Sequence, residues 1–368
     1  MNIIVSGGGT GGHIYPAISI AKKLKKRFND NINIYYVGTP DGMEKELATR
    51  EGFNYREVRV KGMPRNLSIQ SIKSLKELIL GLIDSRKIIK ELKPNLIIAT
   101  GGYVCFPIAY MGKIYNIPIC IHEQNAYPGI TNKILSRYAN KIFITFNESK
   151  RYFKHPERTI LTGNPIREEL ISIDKREAYD YFGLDENKPV IVSFGGSGGQ
   201  ASLNDAMIFC IDEISKDDEI QLIHITGKKH YDSFLKKLEN LNIKINNNIK
   251  IYPYLYELPK AMSIATLIIT SAGAITLAEI SALGKASILI PKAYTAENHQ
   301  EYNAKVFEDA KASIVIKEQD LSGEELIKTI FGLIKDKDKL SDMGINASKL
   351  MDINATDNIV EELIQYLR

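Results

Sequence analysis

The sequence predicts an α/β protein built from two Rossmann-like domains with parallel sheets. First, the apolar run Ile3-Ile4-Val5 leads directly into the glycine-rich stretch SGGGTGGH at 6–13. Second, VIVSFGGSGGQ at 190–200 repeats this pattern about 187 residues later, as expected for a strand–glycine–helix unit that occurs twice. Third, 368 residues suit about two domains, each able to bury its own core.

Continuous apolar runs predict the remaining strands. Runs rich in Ile, Leu and Val that do not alternate with polar residues are typical of strands buried on both faces of a parallel sheet. In the first half they are 32–38, 95–100, 117–122 and 141–145. In the second half they are 219–226, 248–252, 266–271 and 286–291. Helical patterns lie between them, and the crossovers should be right-handed.

A domain boundary is expected near LTGNPIR at 161–167, where Gly163 and Pro165 interrupt the pattern. We therefore expect domains at 1–163 and 164–351. The last helical pattern has Ile359, Leu363 and Leu367 at helical spacing. A C-terminal helix at about 352–368 should join the first domain.

Composition excludes several classes of protein. The three cysteines have no CxxC spacing, which argues against a disulfide framework or a zinc site and favours a reducing compartment. The N-terminus does not resemble a secretory signal, and no run of about 18 apolar residues predicts a membrane span. Residues 1–165 hold 25 Lys and Arg and 12 Asp and Glu, a net charge of +13. The rest of the chain holds 23 Lys and Arg and 32 Asp and Glu, a net charge of −9. The first half is therefore expected to face an anionic partner.

Both glycine loops are expected to bind phosphate groups, because backbone N–H groups and a helix N-terminus can approach an anion there. Gly7-x-Gly9-x-x-Gly12 formally matches the dinucleotide fingerprint. That reading needs an acidic residue at the end of the second strand, where Val37-Gly38-Thr39-Pro40 stands instead. No Lys-Ser/Thr follows the glycines, so a P-loop is excluded. Two such domains without a nicotinamide signature favour a nucleotide-sugar glycosyltransferase.

Eight motifs, in order, resemble one family. They are GGTGGH (8–13), GGY (101–103), HEQN (122–125), TNK (131–133), GNPIR (163–167), GGSGGQ (195–200), SAGAITLAE (271–279) and HQEYNA (299–304). The set closely resembles the MurG family, the N-acetylglucosaminyltransferases of peptidoglycan synthesis. The resemblance implies the GT-B architecture, two Rossmann-like domains facing each other across a cleft. The sequence departs from the family pattern at Gln200, where the family has a small residue.

The resemblance implies transfer of GlcNAc from UDP-GlcNAc to the 4-hydroxyl of MurNAc in undecaprenyl-diphospho-MurNAc-pentapeptide, with inversion, giving lipid II and UDP. It implies that the second domain holds the donor, with Glu279 on the ribose, Leu255 by the uracil and Gln300 by the sugar. The expected UDP-GlcNAc residues are Thr10, Gly11, Gly12, Asn125, Arg167, Ser197, Leu255, Ala274, Ile275, Thr276, Leu277, Ala278, Glu279 and Gln300.

The first domain is expected to hold the acceptor. Its diphosphate is expected at Gly8, Gly9, Gly101, Gly102 and Tyr103. An inverting transfer needs a base for the acceptor hydroxyl. His13 is the first candidate, because an imidazole titrates near neutral pH and this one closes the glycine loop. His13 orienting the loop is the alternative, and His122 and Glu123 are the other candidate bases.

A membrane-facing helix is expected over 68–93. Ile72, Leu75, Ile79 and Leu82 form an apolar stripe, while Leu78, Ile83 and Ile89 could serve the core. The basic rim comprises Lys73, Lys76, Arg86, Lys87, Lys90 and Lys93. Such a rim attracts anionic lipid. We therefore expect peripheral binding to the cytoplasmic face of the plasma membrane; ordinary core packing of the stripe is the alternative.

No cofactor or metal is expected, because Asp336-Lys337-Asp338 is the only DxD sequence and no strand precedes it. The expected partners are UDP-GlcNAc, the lipid-linked MurNAc-pentapeptide and the anionic inner leaflet. Other cell-wall synthesis proteins are a further class of partner that the family allows, and nucleic acid is not expected. The resemblance also implies a role in cell shape and cell division. Three other functions stay open: a UDP-GlcNAc epimerase of the same fold, a dinucleotide-dependent oxidoreductase and a non-enzymatic nucleotide-sugar binding module.

Overall fold

The structure is a computed structural model that describes residues 1–29, 31–64, 69–196, 198–216 and 218–367. It gives only the backbone of residues 69, 168 and 296. The chain forms two compact units. The first comprises Met1–Ile166 together with Ile353–Arg368, and the second comprises Arg167–Asp352.

The first unit is built on a seven-stranded parallel sheet. Its strands are β1 (Asn2–Ser6), β2 (Asn33–Gly38), β3 (Asn54–Glu57), β4 (Leu96–Ala99), β5 (Ile119–Glu123), β6 (Lys141–Ile144) and β7 (Thr159–Leu161). Their order across the sheet is β3-β2-β1-β4-β5-β6-β7. The order reverses direction between β1 and β4, and ligands of open α/β sheets bind at the carboxyl ends of strands beside such a point.

Helices cover both faces of this sheet. They are α1 (Gly11–Arg27), α2 (Met43–Arg50), α3 (Ile69–Leu92), α4 (Phe106–Ile114) and α5 (Ile130–Leu135). On β1, Ile3 and Val5 belong to one buried cluster and Ile4 to another. Successive strand residues point to opposite faces, so this division shows that the sheet has a core on each side.

The second unit has a six-stranded parallel sheet of order β10-β9-β8-β11-β12-β13. Its strands are β8 (Val190–Phe194), β9 (Gln221–Ile225), β10 (Ile249–Tyr252), β11 (Leu267–Thr270), β12 (Ala286–Leu289) and β13 (Ser313–Val315). Its helices are α6 (Lys175–Phe182), α7 (Ala201–Ile214), α8 (Tyr231–Asn240), α9 (Leu258–Ile264), α10 (Ala274–Leu283), α11 (His299–Asp309), α12 (Gly323–Lys335) and α13 (Lys337–Ser348).

The C-terminal helix α14 (Ala355–Ile364) packs in the first unit. Ile359, Val360 and Leu363 are almost fully buried in the same cluster as Ile14 and Ile20 of α1. The helical spacing of these apolar residues therefore produces a face that covers α1.

The predicted α/β class with two parallel sheets is confirmed, and every strand predicted from a continuous apolar run is present. The strands without such a prediction are β3, β7 and β13. All three lie at sheet edges and are partly exposed, so they lack the uninterrupted apolar run that marks an inner strand.

The long helix predicted over 68–93 is present as α3, while Ser68 lies outside the described residues. Across the described ranges, no helix has the combined length and apolar character that a bilayer-spanning segment needs.

Candidate active site

The first glycine loop places His13 at the carboxyl edge of the first sheet. The loop follows β1, and α1 begins at Gly11 with Thr10 as its extended N-cap residue. The Nδ1 atom of His13 lies 3.2 Å from the Gly8 carbonyl oxygen and 3.2 Å from Thr10 Oγ1. If Nδ1–H donates to the carbonyl, the neutral ring carries its lone pair on Nε2, the atom that a base would use.

The GGY loop after β4 packs against this histidine and needs glycine there. Gly101 and Gly102 have positive φ values of 112° and 80°. A Cβ atom on Gly101 would lie 2.8 Å from His13 Cδ2, and one on Gly102 would lie 3.2 Å from His13 Nδ1 and collide with the Gly8 carbonyl. Side chains at these positions would displace the imidazole, so both loops meet around His13.

The amides of the first loop are partly used inside the protein. The Gly8 amide donates to the Gly101 carbonyl at 3.3 Å, and the Gly9 amide donates to Glu44 Oε2 at 3.4 Å. Tyr103, predicted beside the acceptor diphosphate, is 40% exposed and adjoins Gly9, where a Cβ would lie 3.3 Å from its ring. Glu44 belongs to none of the sequence motifs; the only sequence signal for it is the pair of glycines nearby, Gly38 and Gly42.

The HEQN motif orients Asn125 through the buried carboxylate of Glu123. Glu123 accepts hydrogen bonds from Asn125 N at 3.0 Å, Asn125 Nδ2 at 3.1 Å, Gly129 N at 3.2 Å and Asn132 Nδ2 at 2.8 Å. Burial raises the pKa of Glu123, and these hydrogen bonds oppose that rise. With so many donors, the carboxylate fixes the loop after β5 rather than facing a substrate proton.

His122, the other candidate base, is fully buried. Its Nε2 lies 3.0 Å from the Gly163 carbonyl oxygen and its Nδ1 lies 3.0 Å from Gln124 Nε2. Burial lowers its pKa to about 4, against a smaller opposing effect of the Gly163 hydrogen bond. These contacts are those of a neutral structural histidine, so they disfavour His122 as the base.

In the second unit, an ion pair lies at the helix that carries the SAGAITLAE motif. Helix α10 begins at Ala274 after the extended Gly273, whose side-chain position is open except for Thr276 Oγ1 at 3.9 Å. Glu279, 3% exposed, accepts from Arg167 Nη2 at 2.7 Å and Arg167 Nε at 3.2 Å. Burial raises the pKa of Glu279, whereas the Arg167 charge lowers it. The structure therefore joins two of the predicted donor residues.

Within the same helix, Leu277 and Ala278 are buried and Ile275 and Thr276 are half-buried. The first amides of an α-helix have no partner within the helix, and they carry its positive partial charge. The start of α10 can therefore accept the phosphates of a nucleotide.

The second glycine loop is tied to the segment after β12. The Lys292 ammonium donates to the Gly199 carbonyl at 2.8 Å, and the Lys292 amide donates to Gln300 Oε1 at 3.0 Å. Sequence reasoning missed Lys292, which no motif contains. Ser197, predicted to bind phosphate, lies outside the described residues.

Gln200, the departure from the family pattern, has a structural partner. Its Nε2 donates to Glu318 Oε1 at 3.2 Å, and Glu318 also accepts from Ser202 Oγ and, at 2.7 Å, from the Ala293 amide. The longer side chain thus helps to hold the loop against the segment after β12. Leu255, predicted beside the uracil, is 9% exposed in the loop after β10.

The apolar stripe of α3 differs from the prediction at two residues. Ile72, Leu75 and Ile79 are 71%, 50% and 52% exposed. Leu82 instead packs against a buried cluster, while Ile83, assigned to the core, is 46% exposed. At about 100° per residue, Ile83 lies roughly 20° around the helix from Ile72, whereas Leu82 lies about 80° away. The exposed stripe is therefore Ile72, Leu75, Ile79 and Ile83.

Acidic and metal-ligating side chains are not clustered in the described ranges: no group of three or more His, Cys, Asp or Glu residues could hold a metal ion there. All three cysteines are buried and unbridged.

Comparison with known proteins identifies the family. The family model described as "Glycosyltransferase family 28 N-terminal domain" matches residues 3–144, and "Glycosyltransferase family 28 C-terminal domain" matches residues 190–359. A Finegoldia magna protein named "UDP-N-acetylglucosamine--N-acetylmuramyl-(pentapeptide) pyrophosphoryl-undecaprenol N-acetylglucosamine transferase" is 48% identical over 365 residues, covering 99% of this chain and 97% of that protein. The chain belongs to the MurG family.

Other relatives agree with this membership. An Acetivibrio thermocellus protein of the same name is 43% identical over 98% of this chain and 97% of its own length. Among solved structures, Acinetobacter baumannii MurG has a TM-score of 0.78 at 24% identity, covering 99% of both chains. Neisseria meningitidis UDP-GlcNAc 2-epimerase, bound to UDP-GlcNAc, has a TM-score of 0.69 at 18% identity, covering 99% of this chain and all of that one. The chain therefore shares its fold with this epimerase as well as with the MurG structure.

Proposed function

We propose that the chain transfers GlcNAc from UDP-GlcNAc to the 4-hydroxyl of the MurNAc residue in undecaprenyl-diphospho-MurNAc-pentapeptide, giving lipid II and UDP. The observation that carries this proposal is the 48% identity, over nearly the whole of both chains, to a transferase of that name. The starts of α1 and α10, whose first amides can accept phosphate groups, support it.

The donor is assigned to the second unit. The start of α10, from Gly273 to Thr276, offers amides to the diphosphate. Glu279 accepts from the ribose hydroxyls, and Arg167 offsets the charge that develops on UDP as it leaves. Leu255 is assigned to the uracil, and Gln300, held by the Lys292 amide, to the sugar.

The acceptor is assigned to the first unit, where the diphosphate lies by the GGY loop and Tyr103. Because the Gly8 and Gly9 amides have internal acceptors, the phosphates are expected to use the start of α1, at Gly11 and Gly12. Thr10 and these two glycines are also assigned to the donor, as the family resemblance implies. Asn125, oriented by Glu123, is assigned to a hydroxyl of the transferred sugar.

The reaction needs one proton transfer and one displacement. His13 Nε2 takes the proton of the MurNAc 4-hydroxyl as its oxygen attacks the anomeric carbon of GlcNAc. The bond between that carbon and the β-phosphate oxygen breaks, its electron pair leaves with UDP, and the configuration changes from α to β. The α10 N-terminus and Arg167 stabilise the departing diphosphate.

The exposed stripe of α3 supports peripheral binding to an anionic membrane surface at the cytoplasmic face. Ile72, Leu75, Ile79 and Ile83 present apolar side chains to solvent, and the exposed Lys73 and Lys76 lie beside them. Apolar insertion combined with about 1 kcal/mol for each nearby basic residue would hold the enzyme beside its lipid-linked substrate.

An epimerase is the second candidate function, because the epimerase fold is similar over nearly the full length. NMR of the sugar nucleotide separates the two functions. The transferase leaves UDP-GlcNAc unchanged until a lipid-linked MurNAc-pentapeptide is added, and then releases UDP. Formation of the C2 epimer of UDP-GlcNAc without acceptor would instead establish the epimerase and overturn the proposal.

A further inference from the structure

A buried carboxylate lies against the first glycine loop. Glu44 stands in the first turn of α2 and is 1% exposed. Its Oε1 accepts from Thr39 N at 3.1 Å and Thr39 Oγ1 at 2.6 Å, and its Oε2 accepts from the Gly9 amide at 3.4 Å. A single side chain therefore joins the loop after β1 to the loop after β2.

Three glycines make room for this carboxylate. A Cβ atom on Gly8 would lie 2.9 Å from Glu44 Cδ, and one on Gly38 would lie 2.6 Å from Glu44 Cγ. A Cβ on Gly42 would collide with the carboxylate itself. Part of the glycine content of both loops thus serves the placement of an internal anion, rather than only the approach of an external one.

This carboxylate lies beside the Gly8 and Gly9 amides, at which the sequence predicts the acceptor diphosphate. The Gly9 amide points to Glu44, and the neighbouring Gly8 amide to the Gly101 carbonyl. The Glu44 charge also acts on Tyr103. Burial raises the pKa of Tyr103 most, and the Glu44 charge raises it further. A phosphate placed at Gly8 or Gly9 would face this carboxylate at short range, and two anions repel strongly in a partly buried site.

We infer that Glu44 is a positioning residue of the acceptor site: its carboxylate fixes the first glycine loop around His13 and excludes the acceptor diphosphate from the Gly8–Gly9 side. The inference rests on the proposed function, since it concerns the same acceptor. It assigns to Glu44 two separable effects. The hydrogen bonds hold the loop, and the negative charge determines which amides the phosphates can use.

Glu44→Gln separates these effects, because it removes the charge and one acceptor while keeping the size of the side chain. Glu44→Asp keeps the charge but retracts it from the Gly9 amide. Glu46→Gln, exposed on the same helix, is the matched control. Other hydrogen bonds, from Tyr36 to the Gly7 carbonyl at 2.6 Å and from Tyr55 to the Thr39 carbonyl at 2.7 Å, remain to support both loops.

Two readouts are measured with UDP-GlcNAc saturating, so that the donor site is occupied. The first is kcat/KM for the lipid acceptor. The second is the inhibition constant of geranyl diphosphate, a soluble isoprenyl diphosphate, in competition with that acceptor. Glu44→Gln is expected to lower kcat/KM about tenfold, since a hydrogen bond to a charged group is lost. It is expected to tighten inhibition by geranyl diphosphate about fivefold, because the repulsion is gone and the Gly9 amide is available.

The opposite directions of these changes distinguish the inference from a merely structural role, which would weaken both turnover and inhibitor binding. Glu44→Asp should lower turnover without tightening inhibition, and Glu46→Gln should change neither value. The inference is overturned if Glu44→Gln behaves like Glu46→Gln, or if it binds geranyl diphosphate no more tightly than the wild type does. If the wild type itself transfers no GlcNAc to the acceptor, the proposed function fails instead.

Discussion

Arg167 and Glu279 form an ion pair across 112 residues of sequence, with the guanidinium Nη2 2.7 Å from the carboxylate Oε1. Glu279 is almost fully buried, whereas the Arg167 side chain is 40% exposed. The pair therefore orders a carboxylate that would otherwise be a costly buried charge, in the middle of the helix assigned to the donor.

Removal of the cation should destabilise the second unit. Arg167→Leu is expected to lower the free energy of unfolding by about 1–2 kcal/mol, a range reduced because the arginine is partly exposed to screening solvent. The double variant Arg167→Leu/Glu279→Gln should regain most of the lost free energy of unfolding, because a buried neutral glutamine does not need a neighbouring positive charge. The KM for UDP-GlcNAc should rise about tenfold or more in each single variant and stay high in the double variant.

Urea unfolding and donor titration measure these two effects, with Arg176→Leu, exposed in the same unit, as the control. A double variant that loses the sum of the single losses in stability would contradict the pairing. Unchanged donor KM in all variants would remove Arg167 and Glu279 from the donor site.

Replacement of His13 should reduce the chemical step. His13→Gln is expected to lower kcat by about 10²–10⁴, the range for loss of a general base, with little change in the KM for UDP-GlcNAc. Steady-state kinetics with both substrates measure this. His155→Gln, a histidine elsewhere in the first unit, is the control. A kcat for His13→Gln within about threefold of the wild type would assign the base to another group.

Charges in the α3 stripe should abolish membrane binding. Ile79→Glu/Ile83→Glu introduces two carboxylates into the exposed stripe, which opposes both apolar insertion and attraction to anionic lipid. In a flotation assay with phosphatidylglycerol-rich liposomes, the wild type should therefore float with the liposomes and the variant should not.

Leu241→Glu/Ile245→Glu is the matched control, since these residues are 60% and 45% exposed in the second unit. It should float like the wild type. Equal flotation of the stripe variant and the wild type would show that α3 does not contact the bilayer.

Two buried histidines should make both units sensitive to acid. Burial lowers the pKa of His122 to about 4 and that of His224 to about 3. In the unfolded chain each titrates near 6.5, so the unfolded state binds more protons below that pH. Stability is therefore lost as the pH falls below 6.5, down to about pH 4 for His122 and about pH 3 for His224.

At pH 5, each histidine should account for a loss of about 2 kcal/mol relative to pH 7.5. Urea unfolding at the two pH values measures it. His122→Gln should reduce the pH dependence of the free energy of unfolding of the first unit by this amount, whatever its basal stability. An equal pH dependence in the wild type and His122→Gln would show that His122 already binds a proton when folded.

Inner strands could be predicted because parallel strands covered on both faces need continuous apolar sequence, as at Leu96–Ala99. The edge strand Asn54–Glu57 could not, since it is partly exposed and its sequence is polar. The ordered motifs indicated the family and most of the candidate site. Glu44 and Lys292 remained hidden, because their roles depend on contacts with Gly9 and Gly199 that only the folded loops bring about.

The error in the predicted apolar stripe of α3 also arose because packing contacts cannot be read from the sequence. Spacings of three and four residues suggested Leu82, but helical rotation over three turns favours Ile83, and packing of Leu82 against the core decides between them.

The most direct test of the central claim is transfer of labelled GlcNAc from UDP-GlcNAc to undecaprenyl-diphospho-MurNAc-pentapeptide, measured as label in the lipid extract with EDTA present. We predict labelled lipid-linked disaccharide in an amount that matches the UDP released. If the protein binds UDP-GlcNAc but leaves the lipid extract unlabelled, the assigned acceptor is wrong and His13 loses its role as the base.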